Sequence, residues 1–168
     1  MSEIDYKVPR LIRPVVQPDP RTCWAAAATV MLSWRHQASF SITAALQRVP
    51  GSWLRYFQTQ SEGLDPALLS TFAEACGMDH EPLQCYTPNG WLELLEWYGP
   101  LAVVTQPLTY HVRVVWGMKG TLDRAGLNLV VRVIDPAGGR FTQEAFPRFA
   151  LSVTHAARIP AAQVWHWP

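Results

Sequence analysis

The chain is poor in cysteine. Cys23, Cys76 and Cys85 are its only thiols, too few and too scattered for the disulfide framework of a small secreted domain. An odd count leaves at least one thiol free, which suits a reducing compartment and raises the question of which one is reactive. Long apolar runs are also missing. No stretch approaches the ~20 residues of a membrane helix, so membrane insertion is not expected. Met1–Arg13 mixes charges and prolines where a signal peptide needs an unbroken apolar segment. An excess of one charge is absent too: 14 Lys and Arg face 13 Asp and Glu, and no run concentrates one sign. Nothing therefore offers a phosphate-tracking surface, and nucleic acid is excluded as a partner. Repeats, linkers and low-complexity tracts are lacking as well, so residues 1–168 are expected to form one domain.

What is present favours a globular core. Hydrophobic residues make up 49% of the chain and eight tryptophans supply large rigid pieces to bury. Pro9, Pro14, Pro18 and Pro20 rule out a long helix, so residues 1–21 are read as an extended lead-in. Next, Cys23 to Trp34 is alanine-rich and almost wholly apolar, the mark of a helix buried on most sides. Helices are also expected over Ser41 to Arg48, Asp65 to Cys76 and Thr87 to Tyr98. In the last, Thr87 caps, Pro88 opens and Gly99-Pro100 closes. From Leu101 the texture becomes β-branched. Strands are predicted at Leu101 to Thr105, His111 to Met118 and Leu127 to Asp135, with a weaker one near Leu151 to Val153. Residues 22–99 thus read as mainly helical and 100–168 as mainly strand, an α+β fold with helices packed on an antiparallel sheet.

A thiol is a nucleophile only as thiolate, and a helix N-terminus or an adjacent imidazolium lowers its pKa. Cys23 opens the buried helix, where free N–H groups and the dipole favour an anion. His111 opens a strand, which fixes an imidazole more firmly than a loop does. His36 is held away from Cys23 by its own helix. His80 is expected in a loop, His155 in a late turn and His166 in the tail. Asp135 ends the next strand. If the two strands pair antiparallel through a turn near Lys119 to Gly126, Asp135 arrives beside His111. It is then expected to accept the Nδ1 proton and leave Nε2 facing the sulfur. Gln17, six positions before Cys23, is placed to aim its amide, with the Cys23 N–H, at a developing oxyanion. Cys76, His80 and Cys85 lack the spacing of a zinc site, so no metal is expected.

Taken together, Gln17, Cys23-Trp24, His111 and Asp135 resemble the papain-like cysteine peptidase superfamily. There, a glutamine stands six positions before the nucleophile, Trp follows it, and His and then Asn or Asp come later on the sheet. The Gly99-Pro100-Leu101 and Ile134-Asp135-Pro136 segments are similar to compact bacterial members, the double-glycine leader peptidases and the AvrRpt2-type effector proteases. The resemblance implies a papain-like fold and a protein or peptide substrate touched by Trp24 and Tyr110, without a cofactor. It extends to a bacterial effector or toxin made in the cytoplasm, delivered by a specialised secretion apparatus and opposed by a cognate inhibitor. Two departures matter. Pro20-Arg21-Thr22 stand where papain has a cysteine and a glycine, and the interval from Cys23 to His111 is shorter than papain's ~130–150 residues. Rival readings are a peptidoglycan amidase of the NlpC type, whose nucleophile usually precedes Ser-Gly, and an inactive peptide-binding module on the same fold.

Overall fold

In the computed structural model, which describes residues 2–82, 84–106, 110–156 and 163–168, the alanine run forms helix α1 (Cys23–His36). Every residue from Cys23 to Trp34 is buried. Four consecutive alanines allow neighbouring elements to approach closely, so α1 becomes the central rod of the helical half. Its C-terminus closes on Gln37 in the left-handed conformation, whose N–H donates to the carbonyl of Trp34. Two side chains then tie the lead-in to this end. Trp34 Nε1 donates to Pro9 O at 2.9 Å, and Gln37 exchanges hydrogen bonds with the backbone of Leu11.

The other expected helices form as α2 (Ile42–Leu46), α4 (Leu69–Ala75, after a 3₁₀ turn at Pro66–Leu68) and α5 (Pro88–Tyr98). Ser41, Asp65 and Thr87 cap them through side-chain oxygens, as their positions predict. An unpredicted short helix, α3 (Trp53–Thr59), buries none of its residues fully. Gly99, at φ +82°, ends α5, and a Cβ there would lie 2.4 Å from the ring of Trp34. Only glycine permits this approach of α5 to α1.

Among the described residues the strands are β1 (Ser2–Lys7), β2 (Asp79–Glu81), β3 (Leu101–Thr105), β4 (His111–Leu122), β5 (Leu129–Asp135), β6 (Arg140–Ala145) and β7 (Val164–His166). They form one antiparallel sheet in the order β2-β7-β3-β4-β5-β6, with β1 also paired to β4. The fold is α+β, as expected, and the three strong strand predictions hold within a few residues. Four departures follow from pairing and packing. The start of the extended lead-in is strand β1. Leu151 to Val153 belongs to helix α6 (Phe146–Ala156), whose Phe146, Phe149, Val153 and Ala156 recur at helical spacing and are its buried residues. His155 therefore sits on a helix rather than in a turn. His80 and His166 lie in β2 and β7, and His166 is buried with Nε2 2.8 Å from Glu81 Oε1.

Candidate active site

Cys23 is the first residue of α1 and only 3% exposed. The preceding turn is built by Thr22, whose hydroxyl donates to Asp19 O at 2.9 Å and whose carbonyl accepts from the N–H groups of Ala25 and Ala26. The N–H of Cys23 therefore belongs to the first turn, where no helical carbonyl is available to it.

Strands β4 and β5 pair as the sequence predicts, with Val114 opposite Ile134. One further step sets Asp135 across from Arg113, with His111 two residues along on the same face, a diagonal that side chains can span. The imidazole meets the carboxylate, Nε2 to Oδ1, at 2.7 Å. The ring is also coupled electrostatically to Cys23, and it is Nε2 rather than Nδ1 that meets the carboxylate. This reverses the expected ring orientation, because backbone position fixes where an imidazole lies but not which edge it turns to each neighbour. Burial alone pulls the His111 pKa down. The hydrogen bonds to Asp135 and Cys23, and the charges of both, outweigh that and lift it to about 9. For Asp135, burial raises the pKa, yet the hydrogen bonds from His111 and from the Ala137 N–H, with the charges of His111 and Arg113, hold it below the usual range.

Gln17 is suspended from the turn that follows Asp135: its N–H donates to Pro136 O at 2.9 Å, and its Oε1 is buried without a hydrogen-bond partner. Gly139 closes the same turn at φ +59°, where a Cβ would lie 2.8 Å from that of Val16. Tyr110, the neighbour of His111 in sequence, reaches the loop after α3. Its hydroxyl donates to the carbonyl of Leu64, and burial first, then Cys23, Tyr56 and Asp65, push its phenol far above the ordinary value.

Trp24, expected at the substrate, is not there. It is fully buried and packs edge-on against Tyr56, Phe57 and Phe72. One helical step of ~100° past Cys23 turns its side chain into the core. Arg113 escaped the sequence reading although its spacing from His111 placed it on the same strand face. It donates to Thr105 Oγ1, to Glu144 Oε2 at 2.8 Å and to Ser152 Oγ. The other thiols differ from Cys23: burial pushes Cys76 up to about 12, and Cys85 is exposed.

Two cavities open at Tyr110 and His111. One of about 640 Å³ is lined by Tyr110 and residues 59–66, and the other, of about 430 Å³, by His111, Asp135 and the face of α6 beyond them.

Residues 2–154 match the family described as papain-like cysteine protease AvrRpt2. Among solved structures, the peptidase domain of Streptococcus ComA, a bi-functional ABC transporter involved in a quorum-sensing pathway, is similar in fold. The TM-score is 0.55 at 16% identity, covering 94% of this chain and 100% of that one. No curated protein matches the chain.

Proposed function

Because the chain belongs to the AvrRpt2 family of papain-like cysteine proteases, we propose that it cleaves a protein substrate with Cys23 as nucleophile, His111 as base and acid, and Asp135 as the residue orienting the ring. The observation that carries this reading is the 2.7 Å contact of His111 Nε2 with Asp135 Oδ1 at the strand end, on a ring that is also coupled electrostatically to the thiol at the helix start. Cys23 Sγ attacks the scissile carbonyl, whose oxygen becomes an oxyanion. Gln17 Nε2 and the Cys23 N–H donate to that oxyanion. His111, protonated, gives its proton to the leaving amine as the C–N bond breaks, and a thioester remains. Water then loses a proton to His111 and adds to the thioester, releasing the acid and restoring the thiol. Tyr110 borders the substrate on the acyl side.

Cys23→Ala is expected to abolish cleavage of a susceptible protein while leaving the fold intact. Retained activity would reject the assignment. Labelling of Cys23 by an E-64-type epoxide, read by mass spectrometry, separates this living site from an inactive binding module. Residues 1–168 act as one domain in this reading.

The resemblance to AvrRpt2-type effector proteases extends the proposal to an effector or toxin, delivered into a target cell and countered by an inhibitor in the producer. Expression of wild type should slow growth of a sensitive cell, and Cys23→Ala should not. Equal growth of the two strains removes the toxin role.

A further inference from the structure

Helix α6 uses two stripes. Phe146, Phe149, Val153 and Ala156 face the core, whereas Arg148, Leu151, Ser152 and His155, at the same helical spacing, line the 430 Å³ cavity beside His111. A leaving amine must come within hydrogen-bond reach of the ring that protonates it, and of the two cavities this is the one that His111 lines. The 640 Å³ cavity is lined instead by Tyr110 and residues 59–66, and its Gly63 approaches Arg21, two residues before Cys23.

The charge of the nearer cavity does not cancel. His111 and Asp135 offset each other. Glu144 is engaged by Arg113 at 2.8 Å and stands 3.5 Å from Arg148 Nε, so one carboxylate answers two guanidinium groups. Arg113 is the less exposed partner, also held by Thr105 and Ser152. The Arg148 side chain is 85% exposed. Leu151, 55% exposed, gives the rim an apolar surface for a short aliphatic stem.

We propose that this cavity is the leaving-group subsite and that it takes an acidic side chain, Asp or Glu, within the first two residues after the scissile bond, with Arg148 as the selecting residue. The inference rests on the reading of His111 as proton donor to the leaving amine. An incoming carboxylate completes the pairing that Glu144 leaves unbalanced, whereas a basic side chain meets two guanidinium groups.

The test is digestion of a proteome-derived peptide library, with the newly formed amino termini read by mass spectrometry. Wild type should enrich Asp and Glu at those two positions by roughly fivefold, the scale of a partly exposed charge pair. Arg148→Glu should abolish the enrichment and favour Lys and Arg, and Arg148→Gln should fall between. Arg124→Glu, an equal charge change in the exposed β4–β5 turn, should keep the wild-type profile. A flat wild-type profile, or an Arg148→Glu profile equal to wild type, overturns the subsite. If wild type makes no cuts beyond those of Cys23→Ala, the protease reading fails and this inference with it.

Discussion

Gln17 and Pro136 are joined by a backbone hydrogen bond of 2.9 Å, so the lead-in that approaches Cys23 hangs from the turn that follows Asp135. The proposed oxyanion donor and the proposed orienting carboxylate therefore share one support, and a change in that support reaches both.

Gly139 is where this support is tested without touching a reacting group. Gly139→Ala places a Cβ in the left-handed region and against Val16, at a strain of about 1–2 kcal/mol before the clash. The variant should unfold at a lower temperature and have a lower kcat. Gln17→Ala should lower kcat about 100-fold, the scale of one lost oxyanion donor, with little change in melting temperature. Steady-state kinetics and thermal unfolding on both variants separate the two effects.

The raised His111 pKa predicts a broad alkaline limb. The ring stays protonated until pH rises through about 9, so activity, which needs a proton for the leaving amine, should fall there rather than near 6.5. The linkage to stability has the same sign. A group raised on folding contributes fully below 6.5, and that contribution is lost as pH rises through about 9. Asp135→Asn removes the charge and should move the alkaline limb toward neutrality, as seen in a pH–rate profile or a His111 NMR titration.

Trp24 should matter to the fold rather than to the substrate. Trp24→Ala leaves a cavity among Tyr56, Phe57 and Phe72 and should cost about 3–5 kcal/mol, whereas Trp24→Phe should cost less and keep KM. Chemical denaturation with parallel kinetics checks this.

Tyr110→Phe removes the hydroxyl that closes on Leu64 O. The loss should be about 1 kcal/mol of stability, with KM changed more than kcat, if Tyr110 has the proposed role of bordering the substrate without touching the scissile bond.

Much of the site was legible because its signals are local. An alanine-rich run fixes a buried helix and so the position of Cys23, and two β-branched runs about one turn fix a hairpin whose ends bring His111 to Asp135. The misses have physical reasons. In β1, Ile4 and Tyr6 alternate with charged residues, but two strand faces in six residues beside four prolines read as a coil. In β6, Arg140 to Ala145 is exposed and polar, so its strand form depends on β5 rather than on its own pattern. Helix α6 carries its apolar stripe at a spacing that was readable, and the short β-branched piece within it obscured that stripe. The Trp24 error came from sequence adjacency, since neighbours on a helix point in different directions. Which imidazole edge meets the carboxylate is set by packing around the ring, to which no motif is sensitive.

The register of β1 on β4, with Ser2 opposite Leu122, also bears on synthesis. A ribosome delivers Cys23 early, but the strand pairing that sets His111 beside Asp135 waits for residues past Asp135, and such distant pairing is slow to form. The nascent polypeptide therefore leaves the exit tunnel before its thiol has met the imidazole.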